Sequence, residues 1–139
     1  MSGKLLDTDT IITLARGRLR TTSQHYAAEI AARTPLHVST ISLFEFRYGM
    51  RRSPVHAAQE SAFQSLVGAM QVVPFEQADA DRASLVKADL AGRGLMIGPY
   101  DILIAGQALL HGLTLVTGNT REFSRVAGLA LEDWTQPPP

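Results

Sequence analysis

The feature that most constrains this chain is a rhythm. Short apolar runs, "KLLD" (4–7), "LHVST" (36–40), "MQVVPF" (70–75) and "LTLVT" (113–117), are separated by stretches with helical spacing. Helices are expected over 8–17, 23–33, 41–50, 54–69 and 76–94, and another opens at Pro99. The first should be capped by Thr8 or Asp9 and stopped by Gly17, and the one over 41–50 should close near Gly49. "LALEDW" (129–134) is expected to add an edge strand. Apolar strands alternating with helices imply an α/β domain with a mainly parallel sheet, whose ligand site lies outside the carboxyl ends of the strands. At 139 residues the chain suits one domain without internal repeats, and "TQPPP" (135–139) is expected to be a disordered tail.

Composition removes several function classes. The absence of cysteine excludes disulfides and thiolate metal sites. Thirteen basic side chains balance thirteen acidic ones, so bulk charge selects no partner, and attraction to nucleic acid must come from local clusters of arginine. The N-terminus has too short an apolar run for a signal peptide and no stretch approaches membrane-spanning length, so a cytoplasmic location is expected.

Against this background four places carry polar groups out of pattern. Asp7 ends the first strand, where it either caps the next helix or belongs to a site. Glu45 lies in "ISLFEFRYG" on a helix face with Ile41 and Tyr48. Ser42 and Glu45 have capping-box spacing. Ser39 or Thr40 would cap as well and leave Glu45 inside the helix, where an unpaired carboxylate is costly, so a ligand role is favoured. Asp101 sits in the first turn of "PYDILIAGQALLHG", where it could complement the helix dipole, by roughly 0.3–1 kcal/mol. It also shares a face with Ala105, Ala108 and Gly112, small residues that let the helix approach a neighbour closely. The fourth place is "TGNTREF", where Thr117, Asn119 and Glu122 offer oxygen donors after a strand, although Asn119 could instead cap a short helix containing Glu122.

All four offer hard oxygen donors. With no cysteine, and with His25, His37, His56 and His111 scattered, the set selects Mg²⁺ or Mn²⁺ over zinc, and the matching chemistry is phosphodiester hydrolysis.

"LLDTDTII", "VSTISLFEFRYGM", "GPYDILIAGQAL" and "LVTGNTREFSRVAGLALEDW", in that order over the whole chain, resemble the PIN-domain ribonucleases and specifically the VapC-type toxins of bacterial toxin–antitoxin pairs. The resemblance implies a three-layer α/β/α sandwich, with residues 1–134 forming a single PIN-like nuclease domain. It implies a homodimer neutralised by a cognate antitoxin, and an acidic pocket that binds Mg²⁺ or Mn²⁺ and cleaves RNA. The family's acidic residues fall on Asp7, Glu45 and Asp101. Many PIN nucleases have an aspartate after the fourth strand, whereas here Asn119 stands there with Glu122 one turn on, as in a subgroup with an N-x-R-E-F segment. Relatives of this kind often read Asn-Asn, and the first position here is Gly118.

Contacts to RNA are expected from Thr8, Arg47, Thr117 and Arg121, with Tyr48, Arg51, Arg52 and Arg125 as further candidates. A receiver domain also pairs aspartates with Mg²⁺, but "MQVVPF" ends without a phosphoryl-accepting aspartate and the last strands carry no lysine. The remaining alternative is a catalytically idle PIN module that serves as the dimerising partner of a DNA-binding antitoxin.

Overall fold

A computed structural model describes residues 2–139, the side chain of His56 excepted. Five parallel strands, β1 (Lys4–Leu6), β2 (Leu36–Ser39), β3 (Gln71–Val73), β4 (Thr114–Val116) and β5 (Leu131–Glu132), form one sheet in the order β3-β2-β1-β4-β5. The helices are α1 (Thr8–Arg16), α2 (Arg20–Ala31), α3 (Thr40–Arg52), α4 (Pro54–Ala57), α5 (Glu60–Gly68), α6 (Gln77–Arg93), α7 (Pro99–His111) and α8 (Thr120–Phe123). The result is the three-layer α/β/α arrangement with a mainly parallel sheet.

The two layers follow from the alternation of side chains along each strand. Leu5 and Leu115 point to one face, where they pack with Ala83, Val86 and Leu90 of α6 and Ile104, Ala105 and Ala108 of α7. Leu6 and Val116 point to the other, with Ile11, Phe46, Phe63 and Trp134. Strands covered on both sides, such as β1 and β4, read as continuous apolar runs, which is why they stood out in the sequence. On the first face α6 and α7 approach so closely that a β-carbon on Gly106 would lie 2.7 Å from the Ala83 Cα.

Several local expectations are corrected. The N-cap of α1 is Asp7, not Thr8 or Asp9: its backbone is extended and its carboxylate accepts the Thr10 N–H at 2.8 Å, while Thr8 already begins the helix. Helix α2 starts at Arg20, earlier than residue 23. Helix α3 is capped by the Ser39 hydroxyl and runs through Gly49 to Arg52, stopping at Ser53, where the following Pro54 disfavours helical backbone. The stretch 54–69 is two helices, α4 and α5, rather than one. Pro74, which has no N–H to donate, follows the last residue of β3. Gly17 ends α1 in the left-handed conformation, and Pro99 opens α7, both as the sequence indicates. Beyond β5 the Trp134, Thr135 and Gln136 carbonyls accept hydrogen bonds from Thr22, Thr21 and His25 of α2.

Candidate active site

Strand β1 pairs with β4 in the register Leu6 to Val116, and the Asp7 N–H donates to the Val116 carbonyl at 3.0 Å. Asp7 and Thr117 therefore leave the sheet side by side at its carboxyl edge. Asp7 is only 7% exposed, and burial holds its carboxyl above the ordinary range against hydrogen bonds from Thr10 and Thr117 that favour the charged form.

Glu45 reaches the same edge from inside α3. It is partly buried and its Oε1 accepts the Thr8 hydroxyl at 2.8 Å, which ties the second acid to the residue after the first. Desolvation raises its pKa, the Thr8 hydrogen bond opposes this, and the charges of Asp9 and Asp7 add to the rise. The capping-box alternative fails, because Ser39 caps the helix and Ser42 lies buried within it.

Asp101 comes from the first turn of α7. Its carboxylate folds back over Gly98, so closely that a β-carbon at that glycine would stand 3.0 Å from Oδ2. Its pKa is pushed up to about 6, first by burial and then by the charges of Glu45, Asp7, Glu122 and Asp9. The positive end of a helix dipole would favour the ionised form, so burial together with the neighbouring carboxylates outweighs it here.

At β4 the Asn119 N–H donates to the Thr117 hydroxyl oxygen at 3.0 Å, and the Asn119 side-chain amide donates to Glu122 Oε2 at 2.7 Å. Asn119 holds the N-cap position of α8, but its side chain makes no cap hydrogen bond and turns its amide N–H to Glu122. The structure thus brings Asp7, Glu45, Asp101 and Glu122 into one electrostatic neighbourhood built from four elements.

The expected RNA contacts divide. Thr8 spends its hydroxyl on Glu45 and Thr117 is fully buried, whereas Arg47 and Arg121 are exposed. Arg125 donates to the Met96 carbonyl at 3.0 Å and so ties down the loop before α7. The sequence offers Asp9 as a cap and, with Asp7, as a loose imitation of a receiver's acidic pair, but not as a member of this site; its place in the first turn of α1, two residues after Asp7, adds charge to the cluster. The spacing D-x-D was the available signal. Three histidines lie elsewhere. His25 stacks on Trp134, His37 is buried in β2, and His111 bonds Asp79 at 2.9 Å; the side chain of His56 lies outside the described residues.

No three His, Asp or Glu side chains among the described residues are placed to ligate one ion as they stand. The donor chemistry nevertheless fits Mg²⁺ or Mn²⁺, since Mg²⁺ is ordinarily held by one or two carboxylates and several waters. Among the described residues no lysine or arginine pairs with Asp7, Glu45, Asp101 or Glu122.

Comparison with known proteins gives the same picture. The family model described as "PIN domain" matches residues 4–129. The chain is 38% identical over 98 residues to the tRNA(fMet)-specific endonuclease VapC of Shigella flexneri, covering 70% of this chain and 74% of that one. It is 31% identical to the Salmonella typhimurium protein of the same name, covering 94% and 96%. Among solved structures, the DNA-bound VapBC of Salmonella typhimurium contains a chain that superposes with a TM-score of 0.86 at 30% identity, over 96% of this chain and 99% of that one. The family model and the Salmonella typhimurium relative span nearly the whole chain, and on them the chain belongs to the PIN-domain family, in its VapC branch.

Proposed function

We propose that this chain is a Mg²⁺- or Mn²⁺-dependent endoribonuclease, the toxin of a pair in which a cognate antitoxin neutralises it. The observation that carries the reading is the carboxylate cluster at the sheet edge, where burial, and after it the charge of neighbouring carboxylates, raises the proton affinity of Asp7, Glu45 and Asp101. Such a cluster is unfavourable in isolation and becomes favourable around a divalent cation.

Asp7, Glu45 and Asp101 would hold the ion. When bound, it supplies charge to phosphoryl oxygens and acidifies a bound water. The chain's own residues keep the acids in place. The Thr10 N–H fixes Asp7, the Thr8 hydroxyl fixes Glu45, and Gly98 leaves room for the Asp101 carboxylate. Asn119 holds Glu122 at the rim, and exposed Arg121 on α8 stands where an RNA phosphate can be met.

The named relatives act on tRNA(fMet) or are ribonucleases, and the solved neighbours include VapBC complexes; RNA and an antitoxin are accordingly the partners of this reading. An apolar groove of about 440 Å³ between α6, the 94–98 loop and the start of α7, lined by Phe75, Ala83, Met96, Ile97 and Leu103, supports coverage by protein, either the antitoxin or a second copy in a homodimer. No helix among the described residues is long and apolar enough to cross a membrane.

The test is cleavage of tRNA and of single-stranded RNA by antitoxin-free protein. Activity with Mg²⁺ or Mn²⁺ that stops with EDTA is expected. Cleavage that survives chelation removes the metal dependence, and no cleavage with either ion leaves the idle module.

A further inference from the structure

Helix α3 delivers Glu45 to the carboxyl edge, but most of its outward face has no part in that site. Phe44, Arg47, Tyr48, Arg51 and Arg52 recur at offsets of three, four, seven and eight residues, which places them on one face of the helix. All five are exposed, and the two rings are large apolar groups left 52% and 55% accessible. At 1.5 Å per residue the stripe is about 12 Å long.

Two contacts show that this face is organised. The Arg52 guanidinium lies 5.3 Å from the centre of the Tyr48 ring, and Tyr100, just before Asp101 on α7, meets Phe44 edge to face with centroids 5.4 Å apart. Phe44 thus precedes one site carboxylate in the chain while resting on the residue that precedes another. None of the three arginines pairs with a carboxylate among the described residues. Rings for stacking and cations for phosphates, interleaved along one line that ends at the carboxylates, match the chemistry of single-stranded nucleic acid.

We infer that the outward face of α3 is the track on which single-stranded RNA enters the site, with bases stacked on Phe44 and Tyr48 and phosphates on Arg47, Arg51 and Arg52. Tyr100 is a positioning residue that holds the Phe44 ring. This inference rests on the ribonuclease reading. Tyr100 also lines the apolar groove that suits the antitoxin or a second copy, but three arginines without carboxylate partners among the described residues favour a polyanion on the α3 face itself.

The experiment measures binding of a single-stranded oligoribonucleotide carrying 2-aminopurine, in EDTA so that the strand stays intact. Stacking should change the probe's fluorescence in the wild-type protein. Phe44→Leu and Tyr48→Leu keep apolar bulk without the ring and should each weaken binding roughly tenfold, whereas Tyr48→Phe should bind as wild type. The pair Arg51→Gln and Arg52→Gln should lower the slope of log affinity against log salt by about 1.4. Leucine variants that bind as wild type, or an unchanged salt slope, overturn the track. Loss of a wild-type dimer in the leucine variants, seen by sedimentation, also overturns it and gives the face to a second copy. Either failure leaves metal-dependent cleavage standing, whereas a wild-type protein that binds the probe but cuts no RNA with Mn²⁺ removes the ribonuclease reading and leaves the binding face.

Discussion

Two acidic clusters in this molecule solve the same electrostatic problem in opposite ways. On the flank beneath α2, Glu29 and Glu132 each accept from the Lys4 ammonium at 2.6 Å, and the Trp134 indole N–H donates to Glu132 Oε1 at 2.8 Å. Burial works against the Lys4 charge, but the hydrogen bonds it donates to Glu132 and Glu29 overcome it and leave its pKa above the ordinary value; burial would raise Glu29, and Lys4 holds it down instead. At the carboxyl edge, burial and the charge of neighbouring carboxylates, Asp9 among them, push Asp7, Glu45 and Asp101 up, and nothing basic answers them among the described residues. The flank carries its own cation and belongs to the fold. The edge is built for a cation from solution.

The sharpest way to break this contrast is to remove charge from each cluster and measure cleavage. Asp101→Asn should lower cleavage by more than ~100-fold, since an ion-clamped phosphoryl group is worth several kcal/mol in the transition state, while circular dichroism stays unchanged. Glu29→Gln, on the flank, should cleave like wild type. An active Asp101→Asn would return that residue to the role of a dipole-complementing surface acid.

The flank responds in stability instead. Lys4→Met leaves two partly buried carboxylates facing each other without a cation and should cost about 2–3 kcal/mol in urea unfolding, less than a fully buried pair because the groups retain some solvent. A loss below about 0.5 kcal/mol would class the triad with ordinary surface pairs.

Titration separates the clusters without mutation. A carboxyl whose folded pKa is raised contributes stability that is fully present below its unfolded pKa and is lost as pH rises through the folded value, which for Asp101 is about 6. Glu29, being depressed, contributes stability that is present above its unfolded value and lost only as pH falls through the folded one; the raised Lys4 contributes until pH rises past the ordinary lysine range. Between about pH 5 and 6.5 Asp101 therefore changes while Lys4 and Glu29 do not. Ion-free protein should lose a few degrees of Tm across that window, with the effect reduced in Asp101→Asn and by added Mn²⁺. A Tm equally pH-dependent in wild type and Asp101→Asn would mean that the slope arises elsewhere.

How much of this the sequence disclosed follows from how local each feature is. The strands were legible because each is a continuous apolar run, and Gly17 and Pro99 because their backbone preferences act within one turn. Helix α3 was misjudged at Gly49, where the cost of a helical glycine is outweighed by packing of Phe46 and Met50 on either side. The strand-end position of Asp7 favours a site role and leaves the cap to Thr8 or Asp9, because nothing in the sequence shows one carboxylate serving both; the structure gives Asp7 the cap hydrogen bond and the edge position together. The Lys4 triad joins residues 25 and 128 positions apart, so no window of sequence contains it. The height of the Asp101 pKa was hidden for the same reason, since its perturbing charges come from β1–α1, α3 and α8.

The smallest expected effects lie at the rim, where the edge is least charged. Asn119 is neutral and donates its amide to Glu122 Oε2, while the Glu122 charge contributes to the rise of Asp101. Removing the amide frees Glu122 without changing any charge, so Asn119→Ala should slow cleavage several-fold at saturating Mn²⁺ and leave the metal midpoint nearly where it was. Glu122→Gln removes a charge, so it should raise the metal midpoint by roughly tenfold, the low end for a residue acting through a ligand or its water, and excess Mn²⁺ should restore the rate. The same substitution should move the pH at which ion-free protein loses stability downward, because one of the charges opposing Asp101 ionisation is gone. Cleavage titrated against Mn²⁺ for both variants, beside a Tm–pH series for Glu122→Gln, reads the two effects independently. If both the midpoint and the pH profile of Glu122→Gln match wild type, the edge ends at three carboxylates and Glu122 is a surface acid held by Asn119.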